Sequence, residues 1–115
     1  MKKNYALLAG LFLLIYFHFS AADLSAQIVS AGDYFSVTKC GPCDNVFSWG
    51  YNSGGELGDS TTNEQHSPIT VHNLSDVTSV SAGSYFSLAL KNNGTVWAWG
   101  DNGNGTIGDG TYTDR

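Results

Sequence analysis

Basic residues are scarce in this 115-residue chain, which carries five Lys and Arg against ten Asp and Glu. A surface of that sign repels phosphate backbones, which are held by clustered Lys and Arg, so nucleic-acid binding is excluded. Cysteine is limited to two residues and histidine to three. Zinc needs four ligands, and neither His66 and His72 nor the carboxylates stand at a spacing that would complete a set with the cysteines. No apolar run reaches the roughly 20 residues of a membrane-spanning helix. The longest, Tyr5 to Phe19, has 15 residues and includes His18. Beyond it there is no stretch of helical apolar period. Charged residues make up only 13% of the chain, yet 3 Trp, 6 Tyr and 6 Phe are far more than a disordered tail carries. The chain is built to pack.

The first 26 residues read as removable. Met1-Lys2-Lys3-Asn4 is a short basic head, the 15-residue apolar run follows, and small residues fill the stretch from Ser20 to Ala26. This is the order of a secretory signal peptide. Cleavage fits after Ala22 or after Ala26; the second is preferred because a strand-like segment, Ile28 to Ala31, begins directly behind it. The mature chain then keeps Lys39, Lys91 and Arg115 against nine acids, a net charge of −6, and is expected to be extracytoplasmic with no membrane span.

Residues 27–115 are organised by a repeat. Ser30-Ala-Gly-Asp-Tyr-Phe-Ser36 returns 51 residues later as Ser81-Ala-Gly-Ser-Tyr-Phe-Ser87, with six of seven positions identical. Trp49-Gly-Tyr-Asn-Ser-Gly-Gly-Glu-Leu-Gly-Asp-Ser-Thr61 returns 50 residues later as Trp99-Gly-Asp-Asn-Gly-Asn-Gly-Thr-Ile-Gly-Asp-Gly-Thr111, with seven of thirteen identical. The recurring positions are Gly32 and Gly83, Trp49 and Trp99, Gly50 and Gly100, Asn52 and Asn102, Gly55 and Gly105, Gly58 and Gly108, and Asp59 and Asp109. They are read as structural. Tyr85 to Leu90 alternates large and small residues, Asn93-Gly94 is a strong hairpin signal, and Thr95 to Trp99 alternates again. The repeat assigns the same hairpin to Tyr34–Lys39 and Val46–Trp49. Ile69–Val71 and Val77–Val80 are two further short strand candidates. About four short strands per 50 residues, with Gly-rich turns at fixed offsets, is the sequence form of a β-propeller blade.

The pattern Ala82-Gly83, two residues, Phe86-Ser-Leu-Ala-Leu90, Asn93-Gly94-Thr95-Val-Trp-Ala-Trp-Gly100, Asn102, Gly105, Gly108-Asp-Gly-Thr111 resembles the regulator of chromosome condensation repeat in its bacterial form. The resemblance covers essentially all of residues 28–115 and implies an all-β fold, a seven-bladed propeller of which this chain holds about one and a half to two blades. The copies fall near residues 30–80 and 81–115, the second truncated, so the remaining blades are expected downstream. One departure is that Phe35 and Phe86 stand where the family usually has His, so no role of that imidazole carries over. Founding members promote nucleotide exchange on a small GTPase and contact chromatin. A secreted acidic chain is expected to do neither.

Several motifs invite a chemical reading. Cys40-Gly-Pro-Cys43 has the letters of a thioredoxin redox motif, but that chemistry needs the first Cys at the amino end of a helix. Here the motif occupies a hairpin turn, and a local disulfide formed after export is expected, with metal-related and redox roles as alternatives. Gly103-Asn-Gly-Thr-Ile-Gly108 matches G-x-G-x-x-G without the helix a dinucleotide requires, and the first copy breaks the motif. Asp101 to Thr106 resembles a calcium loop but has Gly103 and Gly105 where an EF-hand places ligands. Asn73, Asn93 and Asn104 head glycosylation sequons. Asp59 and Asp109 are expected to bond turn amides. Trp97 and Trp99 share a strand face, read as blade packing, with an aromatic platform for sugars or partner side chains as the alternative.

No catalytic, cofactor-binding or metal-binding residues are assigned. The function expected is a non-enzymatic protein-interaction module presenting loops on a rigid ring. The alternatives are a glycan-binding surface protein, or the propeller scaffold of a larger enzyme or inhibitor; a related secreted propeller class inhibits β-lactamases in this way.

Overall fold

The computed structural model describes residues 28–41 and 43–115. The signal-peptide expectation for residues 1–26 lies outside the described residues. Seven strands follow one another: β1 (Ile28–Ala31), β2 (Phe35–Lys39), β3 (Val46–Gly50), β4 (Gln65–Thr70), β5 (Val77–Ala82), β6 (Phe86–Lys91) and β7 (Val96–Gly100). They form two antiparallel sheets, β1-β2-β3-β4 and β5-β6-β7, each ordered as in the sequence. The architecture is all-β, as the alternating patterns require, with no helix among the described residues.

The fourth strand differs from its expectation. It runs from Gln65 rather than from Ile69, and it contains Pro68. Ser48 pairs with Ile69 and Gly50 pairs with Gln65, so three residues of β4 oppose Trp49 alone. Pro68 has no amide hydrogen to lose there, and β4 is an outer strand, so a proline is tolerated. The β6–β7 turn is also more specific than an Asn-Gly pair suggests. Lys91 N donates to Thr95 O at 2.9 Å and Gly94 N to Lys91 O at 3.0 Å. Only Gly94 has positive φ, +83°, which makes this a three-residue turn closed by a left-handed glycine.

Strand alternation gives each sheet two distinct faces. In the first sheet Phe35, Val37, Val46 and Ser48 share one face and are buried, and Ser36 and Trp49 lie on the other. In the second sheet Ser87, Ala89 and Trp99 share a face and are buried. The Phe–Val face of the first sheet stacks on the Ser–Trp face of the second, and the core that results contains Val37, Val46, Val71, Val77, Val80, Ala89 and Trp99.

Candidate functional site

The turn after each Trp-Gly pair is built around a buried asparagine. Asn52 Nδ2 donates to Asp59 Oδ1 at 3.2 Å, Thr61 O at 3.1 Å and Asn63 O at 3.0 Å, and Asn52 Oδ1 accepts from Leu57 N at 2.9 Å. Asn102 repeats the set with Asp109 Oδ1 at 3.3 Å, Thr111 O at 3.0 Å, Thr113 O at 3.1 Å and Ile107 N at 2.9 Å. The carboxylates face turn amides: Thr61 N donates to Asp59 Oδ1 at 2.9 Å and Thr111 N to Asp109 Oδ1 at 2.8 Å. For Asp59, burial works against ionisation, but the Thr61 hydroxyl and amide and the Asn52 amide outweigh it and hold the carboxyl below its ordinary range. Hydrogen bonds from the Thr111 hydroxyl and amide, with Arg115 beside it, bring Asp109 down to about 2. Asp59 and Asp109 therefore act as turn anchors.

These turns also join the sheets. Trp99 Nε1 donates to Glu56 O at 2.8 Å, and Ser87 Oγ donates to the same carbonyl at 2.9 Å. Gly58, at φ +66°, lies where a Cβ would come within 2.8 Å of Trp99 Nε1 and 2.9 Å of Val71 Cγ1. Gly50 and Gly100 share φ +112°, and a Cβ on either would strike the start of its own hairpin, at Tyr34 O or Tyr85 O. The Phe35 and Phe86 rings lie against Gly32 and Gly83, so the aromatic residues fill the space over these glycines.

The motifs with chemical letters are otherwise engaged. Cys40 and Cys43 form a disulfide with Cα atoms 5.3 Å apart, in the turn between β2 and β3. Asp101 Oδ1 accepts from Gly103 N at 2.9 Å, and Thr106 Oγ1 donates to Asp101 O at 2.7 Å, so the calcium-like loop is closed on itself. Gly103 to Gly108 is a turn, with Gly105 and Gly108 at positive φ. Among the described residues no three His, Cys, Asp or Glu side chains gather where they could hold a metal ion. The three sequon asparagines, Asn73, Asn93 and Asn104, are exposed.

The tryptophans divide. Trp99 is buried at 8% exposure, whereas Trp97 on the same face is 47% exposed and borders a cleft of about 280 Å³ lined by Val71, His72, Asn73 and Leu74. Lys91 Nζ stands 5.1 Å from the Trp97 ring centroid. Trp49, equivalent to Trp99, is half-buried.

A second aromatic group lies apart from the tryptophans. Tyr34, Tyr51 and Tyr85 form a triangle with ring centroids 6.2, 6.1 and 6.1 Å apart. Tyr34 is 66% exposed. Backbone bonds set the triangle: Tyr51 N donates to Tyr34 O at 3.0 Å, and Asp33 N reaches Ser84 O across the sheets at 3.4 Å. Some desolvation, the neighbouring tyrosines, Asp33 and Glu56 together push the Tyr85 hydroxyl up from its ordinary value. Sequence reading missed this cluster. Tyr34 and Tyr85 are repeat equivalents, which was a usable signal, but the position of Tyr51 is Asp101 in the second copy.

The sheets, the buried asparagines and the Trp-to-loop bond recur with the sequence period, and two matches to the Regulator of chromosome condensation (RCC1) repeat fall on it. They cover residues 44–90 and 77–106, together more than half of the chain. The chain belongs to the RCC1 repeat family. The match over 44–90 runs from the turn before β3 in the first sheet to β6 in the second, so one RCC1 repeat straddles two sheets.

Solved RCC1-type propellers share the fold. Human WBSCR16 matches at a TM-score of 0.65 and 24% identity, over 76% of this chain and 24% of that one. Yeast RCC1 (Prp20), in a crystal structure with Kap60, matches at 0.66 and 23% identity, over 75% of this chain and 22% of that one. Prp20p from Saccharomyces cerevisiae, in a structure described together with its binding to Gsp1p and histones, matches at 0.64 and 24% identity, over 75% and 23%. The chain spans about a quarter of the length of these structures. Its two sheets are blades of a partial β-propeller.

Proposed function

We propose that this chain is the blade-bearing part of a secreted or cell-surface RCC1-repeat protein that acts as a non-enzymatic protein-interaction module. The observation that carries the reading is the tyrosine triangle. Exposed Val29, Leu90 and Val96 lie on unstacked sheet faces, where a further repeat would cover them. Tyr34, Tyr51 and Tyr85 instead stand at the strand ends, joined across the two sheets by ring contacts. Aromatic residues held rigidly in that way are characteristic of contact surfaces. The neighbours bear on the reading as well, since yeast RCC1 is seen with Kap60.

Export follows from the order of charge, apolar run and small residues in 1–26. Further repeats follow from the faces. The Ser36–Trp49 face of the first sheet and the Leu90–Val96 face of the second are the repeat equivalents, still unstacked, of the two faces that meet where the sheets join. The disulfide has a structural role in its turn, with no helix terminus among the described residues to activate a thiol. A glycan-binding reading rests on Trp97 and its cleft. It is the weaker one, because Lys91 already covers the ring.

The test expresses the chain with its native amino terminus and a photo-crosslinking benzoyl-phenylalanine at Tyr34 or at Val96. Export with cleavage before Gln27, and protein adducts formed at Tyr34 and not at Val96, are expected. Cytoplasmic retention, or glycan-array binding with no protein adduct, would overturn the proposal.

A further inference from the structure

We propose that the triangle of Tyr34, Tyr51 and Tyr85 is a cation site that receives an arginine side chain from a protein partner. The inference rests on the protein-interaction reading above and names the chemistry of that surface. The three rings lie about 6 Å apart, Tyr51 and Tyr85 in an edge contact and Tyr34 tilted against both, and Tyr34 and Tyr85 remain open to solvent, so a cation can approach the cluster from outside. A cation within about 6 Å of several centroids is held there by the ring quadrupoles. Charge agrees with this arrangement. Asp33 is exposed beside Tyr34, and Asp101 follows Gly100, its amide bonded to Tyr85 O at 2.8 Å.

No cation of the chain competes for the place among the described residues. Lys39 Nζ donates to Cys40 O at 3.0 Å, Lys91 stands over Trp97, and Arg115 pairs with Asp109 at 2.7 Å. The carboxylate beside the rings selects guanidinium over a quaternary ammonium, because a planar fork stacks on a ring while donating to Asp33. Lysine, a compact and strongly hydrated charge, does this less well. The overall excess of acid steers such a partner toward the chain.

The test titrates the full chain with N-acetyl-Gly-Arg-Gly-amide, followed by NMR of the tyrosine rings. Saturable shifts at Tyr34, Tyr51 and Tyr85 are expected, with upfield ring-current shifts of the arginine δ-methylene. Tyr34→Ala is expected to weaken binding by about 5- to 30-fold, the equivalent of roughly 1 to 2 kcal/mol for a cation on an aromatic face. Tyr34→Phe, which keeps the ring, restores it. Asp33→Asn weakens it several-fold and flattens its salt dependence, and the lysine peptide binds more weakly. Trp99 fluorescence of each variant reports that the sheets still pack. Equal binding of a citrulline peptide, equal or tighter binding of tetramethylammonium, or shifts at the rings with maltose instead would overturn the proposal. Adducts at Tyr34 without any arginine response would sink this inference and leave the interaction reading standing.

Discussion

Asn52 and Asn102 replace a stretch of regular structure with one side chain each. A single amide donates to acceptors as far as 11 residues along the chain and accepts a backbone amide from the turn it encloses. Truncation leaves those groups buried without partners, so Asn52→Ala is expected to cost about 2 to 4 kcal/mol, read as a shift of the urea midpoint at constant slope. Asn102→Ala costs less, because Asp109 is exposed where Asp59 is buried. A second outcome concerns acid. The Asp109 carboxyl sits at about 2 in the folded chain against an ordinary 3.8. A depressed folded value means that its contribution is complete above about pH 4 and is lost as pH falls from there toward about 2. Urea midpoints measured across that window should fall less steeply in Asp109→Asn than in the parent. The recurrence of Asn52 and Asp59 is legible in the sequence, and so is the turn chemistry of an aspartate two residues before a threonine. The reach of the asparagine amide is not, because its acceptors are backbone carbonyls that no residue type advertises.

At the scale of elements, one glycine separates two effects that usually come together. Gly58 and Gly108 are repeat equivalents with φ of +66° and +76°. A Cβ at Gly58 meets Trp99 and Val71, while at Gly108 nothing lies within 4 Å. Gly108→Ala should therefore cost only the left-handed strain, about 1 to 2 kcal/mol. Gly58→Ala should cost more and should redden Trp99 fluorescence as the indole is displaced. Removal of the disulfide is a milder change. Cys40 and Cys43 close a loop with a sequence separation of 3, so Cys40→Ser with Cys43→Ser should lower stability by about 2 kcal/mol or less. Differential scanning calorimetry of the double variant measures it. The hairpins β2–β3 and β6–β7 were readable from alternation and from the repeat. The start of β4 was not: its Gln65-His-Ser-Pro segment has no apolar alternation, and a bulge opposite Trp49 rather than side-chain pattern admits it to the sheet. The RCC1 repeat running across two sheets explains why sequence period and blade are hard to bring into phase by eye.

For the molecule as a whole, equivalent residues report how much of the stacking is satisfied. Val46 is 1% exposed and Val96 is 64% exposed, although they occupy the same position in their sheets. Trp99→Ala removes a buried indole and should cost about 3 to 5 kcal/mol. Trp49→Ala, at the half-buried equivalent, should cost markedly less in the 115-residue chain, and the two costs should converge in a longer chain whose closing blade covers the Ser36–Trp49 face of the first sheet. Chemical denaturation of both variants in the two lengths makes the comparison. The tyrosines carry a different kind of information. Tyr34 and Tyr85 are one repeat apart, yet their rings are only 6.1 Å from each other. Points related by rotation about a propeller axis can be that near only if they lie close to it. A 6.1 Å chord corresponds to a circle of about 4 Å radius for four blades and about 8 Å for eight. Each repeat that places a tyrosine there adds a stave to the mouth of the central channel, and a side chain entering along the axis would meet aromatic rings on every side.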